Sequence, residues 1–98
     1  MSPARRFGLL FARQRLLAGL SQEELQSVLD IHRTEISLIE RGGREPRLDT
    51  LLQLAAGVET EPAELVTGMR WIPGAYEIGG GYATAADEVE PEREPLDV

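Results

Sequence analysis

The middle of the chain holds two short helical segments separated by three residues, and this spacing limits the fold more than any other feature. The first segment, Gln22–Leu29, follows Ser21, a good N-cap, and Glu24 completes the capping-box pattern that announces a helix. The second segment runs from Arg33 to Glu40 or Arg41 and is stopped by two consecutive glycines. Two helices of about two turns each, joined by so short a turn, predict one compact helical unit.

Apolar spacing predicts three further helices around this unit, which makes a chain of five helices. Helix 1 spans about Arg5–Ala18 and ends at Gly19, a residue that tolerates left-handed geometry. Helix 4 follows Pro46, and helix 5 begins at Pro62, which suits a first helical position, and runs to about Gly68. The apolar positions expected on the buried sides of helices 1, 2 and 4 are Phe7, Leu10, Phe11, Leu17, Ala18, Leu25, Val28, Leu29, Leu48, Leu51, Leu52, Ala55 and Val58.

The composition argues against an enzyme. The 98 residues leave room for one small domain, there is no cysteine, and His32 is the only histidine. A thiol nucleophile, a disulfide framework, a zinc site and a Ser/His/Asp triad therefore lack the residues they need. The Gly79–Gly81 run lacks the lysine and the flanking strand of a phosphate-binding loop. We expect a binding protein with no catalytic residues, no metal and no cofactor.

Charge is distributed unevenly along the chain. The formal net charge is −7, but the part through Trp71 carries nine arginines against ten acids, whereas Ile72–Val98 carries one arginine against seven acids. The N-terminal part can therefore still bind an anionic partner. No apolar run approaches the ~20 residues that cross a bilayer, and the N-terminus has no signal-type apolar core. We expect no membrane association and a cytoplasmic, nucleoid-associated location.

The outer side of the second short helix is polar. At about 100° per residue, Ile36 and Ile39 fall on one side of this helix, where they can join a core. The residues on the opposite arc of roughly 140° are Arg33, Thr34, Ser37, Leu38 and Arg41. A two-helix unit with such an outer face is the expected form of a helix-turn-helix, whose second helix enters the major groove of DNA.

Three parts of the sequence carry a family resemblance, and they are Gly19–Leu25 (GLSQEEL), Thr34–Gly42 (TEISLIERG) and the later positions Pro46, Leu48, Leu51, Leu52, Leu54 and Ala55. From about Phe7 to Gly68 the chain resembles the phage repressor and Cro-like (XRE-type) helix-turn-helix family. The resemblance implies an all-α fold, a compact five-helix bundle of lambda-repressor type, here followed by a Gly-rich acidic C-terminal tail. It also implies a sequence-specific transcriptional regulator, expected to be a repressor, that binds double-stranded DNA as a homodimer on a pseudo-palindromic operator.

The resemblance also implies roles for individual residues. Gln22 would touch the DNA backbone from the start of its helix, where the dipole favours phosphate. Arg15 and Glu40 would form a partly buried ion pair between helices 1 and 3. The residues implied to face the groove or the phosphates beside it are His32, Arg33, Thr34, Ser37, Leu38, Arg41 and Arg44. Next to a helix start, His32 is interpreted first as a surface or capping residue and second as a DNA contact.

Two positions depart from the family pattern. Gln26 stands where a small residue, most often Ala, is usual, so its side chain must reach out of the contact between helices 2 and 3 or widen that contact. Asp30 stands at a turn position that is normally Gly, although Asp tolerates a positive φ better than most residues do. We expect both changes to affect the angle between the helices and not the fold.

The chain divides into a predicted DNA-binding domain, residues 1–70, and a C-terminal part, residues 71–98. Disorder is expected from about Ala83, because the acidic stretch cannot bury enough apolar area. The alternative is an extended strap made by Trp71, Tyr76, Ile78 and Tyr82. The acidic tail is expected to solubilise the chain, to bind a protein partner or to compete with DNA for the basic face. A protein partner would make the chain an antitoxin-like or DNA-mimicking interaction module, which is the alternative function.

Overall fold

The structure, a computed structural model, describes residues 1–74 and 80–83. These residues form five helices, as the sequence predicts, followed by a small two-stranded sheet. In chain order the elements are α1 (Pro3–Leu17), α2 (Gln22–Leu29), α3 (Arg33–Glu40), α4 (Leu48–Gly57), α5 (Pro62–Leu65), β1 (Arg70–Ile72) and β2 (Gly81–Ala83). Within this described part, no helix is both long enough and apolar enough to cross a membrane.

One apolar cluster joins the five helices. Its large, fully buried side chains come from every helix, and they are Phe11, Leu25, Ile36, Ile39, Leu54 and Leu65. Helix α1 packs mainly on α3, α2 packs on α3 and α4, and α5 packs against α4 and α1. Helices of eight residues such as α2 and α3 are marginal on their own, so this cluster is what keeps them helical.

Five apolar residues that the periodicity assigns to buried sides lie on the surface instead, and they are Leu17, Ala18, Val28, Leu48 and Leu52. The side chains of Leu17 and Leu48 are each 74% exposed. In α4 the buried stripe runs from Leu51 through Leu54 and Val58, so Leu48 lies one turn before the core begins and Leu52 lies on its flank. Leu17, Ala18 and Val28 lie near helix ends, which the described part of the chain leaves uncovered.

Helices α1 and α3 approach at Gly8 until their backbones touch. A β-carbon placed at Gly8 would collide with the carbonyl oxygen of Ile39 and would lie 2.5 Å from that of Glu40. Glycine fits this contact although it costs about 1 kcal/mol relative to Ala inside a helix. Sequence reasoning did not single out Gly8. The feature that could have indicated this close contact is a glycine in the middle of a predicted helix.

The C-terminal helix is shorter than predicted, and the chain then forms a hairpin. α5 ends at Leu65 rather than near Gly68, because the chain turns after the helix and Gly68 adopts a φ of 80°. Strand β1 pairs antiparallel with β2, which places Trp71 opposite Tyr82. The two rings are in T-shaped contact, with their centroids 5.1 Å apart.

This hairpin bears on the predictions for the C-terminal part. Trp71 and Tyr82, two of the four residues of the strap alternative, are in contact in this hairpin. The other two, Tyr76 and Ile78, lie outside the described residues. Ala83 is fully buried in β2, so the prediction of disorder is wrong at this residue. The acidic stretch 84–98 lies outside the described residues, and the roles suggested for it stay predictions.

Candidate nucleic-acid interface

Local caps set the ends of α2 and the start of α3. The Ser21 hydroxyl accepts a hydrogen bond from the Glu24 amide at 3.0 Å, and the Glu24 carboxylate accepts one from the Ser21 amide at 2.8 Å, which forms the predicted capping box. Asp30 caps the C-terminal end of α2 with a left-handed φ of 60°, as expected of a residue that replaces glycine. This turn lets α3 begin at Arg33.

The outer side of α3 is open to solvent. Arg33 and Thr34 are exposed, whereas Ile36 and Ile39 are fully buried on the opposite side. A depression of about 200 Å³ lies between α3 and the start of α2, and it is lined by Gln22, Arg33, Thr34, Ser37 and Arg41. The structure therefore brings five of the eight predicted DNA-binding residues onto one surface, which we call the α3 face.

The three other predicted residues lie around the α3 face. The Nδ1 atom of His32 accepts a hydrogen bond from the Thr34 amide at 3.0 Å, so His32 caps α3. Leu38 is half-buried. Arg44 follows the end of α3, and its guanidinium lies 3.8 Å from the Glu35 carboxylate on the same helix. His32 therefore has a structural role, while Arg44 lies beside α3.

Two arginines of this region have carboxylates as loose partners. Arg33 Nη1 lies 3.9 Å from Glu23 Oε2, and Arg44 Nη1 lies 3.8 Å from Glu35 Oε2. All four side chains are more than a third exposed, and exposed ion pairs of this kind contribute about 0–1 kcal/mol. A phosphate or a base edge can therefore displace either carboxylate at little cost.

A partly buried ion pair joins α1 to the last residue of α3. Arg15 donates from Nε to Glu40 Oε2 at 2.6 Å, from Nη2 to Glu40 Oε1 at 3.0 Å, and from Nη1 to the Leu20 carbonyl at 2.8 Å. The Arg15 and Glu40 side chains are 12% and 8% exposed. The hydrogen bond to Glu40 raises the pKa of the Arg15 guanidinium above its ordinary value, despite the opposing effect of desolvation. The structure thus contains the ion pair between α1 and α3 with a permanently charged arginine.

Gln22 joins the same network, and sequence reasoning missed this contact. Its Nε2 donates a hydrogen bond to Glu40 Oε1 at 3.0 Å. Because an ionised carboxylate only accepts hydrogen bonds, the Gln22 amide must turn its nitrogen toward Glu40. No local pattern links positions 22 and 40, which meet only after α2 and α3 have packed together.

Gln26 reaches from α2 to the start of α3. Its Oε1 accepts a hydrogen bond from the Arg33 amide at 2.6 Å. The sequence marks Gln26 as unusual for its position and predicts that the side chain leaves or widens the helix contact. Nothing in the sequence indicates that its hydrogen-bond partner is the amide of Arg33, seven residues away across the turn.

Comparison with known proteins finds relatives among regulators of transcription. The chain is 40% identical over 60 residues to the uncharacterised HTH-type transcriptional regulator y4dJ of Sinorhizobium fredii, and the match covers 61% of this chain and 78% of y4dJ. Its fold resembles the restriction-modification controller protein C.AhdI from Aeromonas hydrophila, with a TM-score of 0.61 and 35% identity over 63% of this chain and 94% of that protein.

A second controller protein, C.Esp1396I, has been solved as a tetramer in complex with its natural 35 base-pair operator. It matches with a TM-score of 0.61 and 26% identity over 66% of this chain and 86% of that protein. A family model described as helix-turn-helix matches residues 11–65, which is more than half of the chain. That span contains α2, α3 and the whole α3 face. The chain therefore belongs to the helix-turn-helix family.

Proposed function

We propose that this protein is a sequence-specific DNA-binding regulator of transcription that reads base pairs with α3. The observation that carries the proposal is the α3 face, where exposed arginine and hydroxyl side chains stand on a helix whose other side is held in the core. A helix mounted in this way can enter the major groove of B-DNA. The structure of a related controller protein on its operator supports this use of the fold. The proposed activity is binding, with no chemical step.

Four side chains of α3 are proposed to read bases. Arg33, at the first position of α3, can donate two hydrogen bonds to the O6 and N7 atoms of a guanine. The Thr34 methyl group and the Leu38 side chain can contact a thymine methyl, and the Ser37 hydroxyl can bond to a base edge. Arg33 has the largest expected effect, because a bidentate contact discriminates by about 1–3 kcal/mol against the wrong base.

Three other side chains are proposed to contact phosphates. Gln22 lies at the first position of α2, where the helix dipole favours an anion, and its amide keeps one N–H beyond the bond to Glu40. Arg41 and Arg44 follow α3 and can neutralise phosphates beside the groove. His32 is proposed to assist these contacts by capping α3. Phosphate contacts fix the position of the protein, whereas base contacts supply the specificity.

The division between base readers and phosphate contacts predicts different effects for two arginines. Arg33→Ala should lower affinity for the preferred site about 5- to 150-fold more than it lowers affinity for unrelated DNA, as expected for ~1–3 kcal/mol of discrimination. Arg44→Ala should weaken binding to all duplexes and reduce the salt slope by about one. Titrations of both duplex classes at several salt concentrations measure these effects. If Arg33→Ala bound each duplex as the wild type does, the base-reading assignment would be wrong.

We further propose that the protein acts as a homodimer. Two copies related by a two-fold axis would place their α3 helices in successive major grooves, about 34 Å apart on a pseudo-palindromic site. The tetrameric assembly of the related controller protein on its operator supports an oligomer. Among the exposed apolar side chains, we propose Leu48, Leu52 and Val66 as part of the contact surface between the two copies.

This dimer surface predicts the effect of one charged substitution. Leu52→Asp should produce a folded monomer that binds the operator at least about tenfold more weakly, because a charge in a dry interface is costly. Leu16→Asp is the matched control, because Leu16 is also an exposed leucine. Leu16 lies on α1 and is 67% exposed, whereas Leu52 lies on α4 and is 49% exposed. Light scattering measures the oligomeric state of each variant, and DNA titration measures its affinity for the operator. A Leu52→Asp protein that remained dimeric would exclude this surface.

We assign DNA binding to residues 1–70 and propose that residues 71–98 serve a separate purpose. The structure describes residues 71–74 and 80–83 of that C-terminal part, which include β2 and all of β1 except Arg70. A protein partner for residues 71–98 is compatible with DNA binding, because the two activities would use different surfaces. A regulator of this kind would work on the nucleoid, in the cytoplasm.

A further inference from the structure

Two glutamines on α2 are hydrogen-bonded to opposite ends of α3. Gln22 donates to the Glu40 carboxylate at the last position of α3, and Gln26 accepts from the Arg33 amide at its first position. Residues four apart share one side of a helix, so both glutamines project from the same side of α2. Arg33 and Glu40 are seven residues apart, which also places them on one side of α3. The side-chain contacts therefore connect α2 to both ends of α3.

The hydrogen bond that Gln26 accepts differs from the other hydrogen bonds that cap the start of α3. The Thr34 amide is capped by the His32 ring, and the Glu35 and Ile36 amides donate to the His32 carbonyl at 2.9 and 3.1 Å. These three bonds are made within the segment that begins α3, so they move with the helix. The Arg33 amide donates to a side chain of another helix. Gln26 thus ties the backbone at the start of α3 to α2, whereas the Arg33–Glu23 ion pair joins only exposed side chains.

We propose that Gln26 is a positioning residue for base reading, an inference that rests on the proposed function. It acts through the backbone of Arg33, the residue proposed to grip a guanine. Bidentate hydrogen bonds need donor–acceptor distances of about 2.7–3.2 Å, so a small shift of the Arg33 backbone weakens them. Phosphate contacts, which tolerate more variation in geometry, depend less on this position.

Two nearly isosteric substitutions separate the effect of the hydrogen bond from the effect of charge. Gln26→Met keeps the length of the side chain and removes the acceptor, whereas Gln26→Glu keeps an acceptor and adds a negative charge. A carboxylate near a helix N-terminus is favourable, so Glu should restore the position of α3. The added charge should weaken binding to every duplex by the same factor. Met should instead weaken binding to the preferred site alone.

The experiment measures the ratio of two dissociation constants at one salt concentration. The duplexes are the fragment that the wild type enriches most from genomic DNA and an unrelated duplex of equal length. Gln26→Met should reduce the selectivity ratio about 3- to 10-fold, the range expected for one lost hydrogen bond. Gln26→Glu should keep the wild-type ratio. A Met variant with wild-type selectivity, or a Glu variant with the loss seen in Met, would overturn the proposal.

The NMR chemical shift of the Arg33 amide proton in the free protein supplies a readout that does not involve DNA. A short hydrogen bond moves this resonance downfield, so it should return upfield in Gln26→Met and stay downfield in Gln26→Glu. Equal shifts in all three proteins would overturn the contact itself. If the chemical shifts changed as expected but the wild-type protein preferred no duplex, the proposed function would be overturned, and the positioning role with it.

Discussion

Replacing Glu40 with alanine is expected to lower the free energy of unfolding by about 3–5 kcal/mol, because removal of one partner leaves a charge that is buried without compensation. Arg15 would be that charge, since its side chain is 12% exposed and donates two hydrogen bonds to Glu40. DNA binding should weaken as well, because Gln22 also loses its acceptor. Denaturant unfolding measures the first effect, and DNA titration of the folded fraction measures the second.

The double variant Arg15→Met with Glu40→Leu is the control for this prediction. It buries no charge, so it should be more stable than either single variant and can reach wild-type stability. Its DNA binding should stay weak, because Gln22 still lacks the carboxylate that orients its amide. A Glu40→Ala protein that unfolded at the wild-type denaturant concentration would show that the pair does not support the fold.

Gly8→Ala is expected to destabilise the protein by about 3 kcal/mol, at the upper end of what overpacking usually costs. The added β-carbon would meet the backbone carbonyls of Ile39 and Glu40, and a backbone cannot yield as a side chain can. Helix α3 would have to move away from α1, which would also disturb the Arg15–Glu40 pair. Thermal and denaturant unfolding of the purified variant measure the loss.

Gly57→Ala is the matched control for Gly8→Ala. Gly57 also lies in a helix, but its β-carbon would meet the methyl groups of Leu29 and Leu25, at 2.7 and 2.9 Å, which can rotate away. The gain in helix propensity of about 1 kcal/mol offsets part of that cost. Equal losses of stability for the two variants would contradict the claim that the approach of two backbones makes Gly8 special.

The bounds of α2 and α3 were predictable because their signals are local. The Ser21 and Glu24 pair marks one helix start, and the left-handed Asp30 and the two glycines after Arg41 mark helix ends. The outer arc of α3 was predictable for a similar reason, since the buried isoleucines fix which side faces out. The resemblance to the family then supplied the identity of the groove residues, which periodicity alone does not provide.

Features that depend on packing between distant segments were not predictable. Periodicity shows which side of α4 is apolar but not how far the core extends along it, so Leu48 and Leu52 were wrongly expected to be buried. The contact at Gly8 and the two glutamine bonds form only after helices meet. The strands β1 and β2 have three residues each, too few for an alternating pattern to indicate their pairing.

The central claim is that α3 reads DNA sequence, and its most direct test is selection of bound fragments from the host genome by the wild-type protein at two salt concentrations. The higher salt removes much of the binding that depends on phosphate contacts alone. We predict that both selections enrich fragments with two related half-sites, centred about 34 Å apart, and that the enrichment is sharper at the higher salt. No enrichment at either salt concentration would contradict the proposed function.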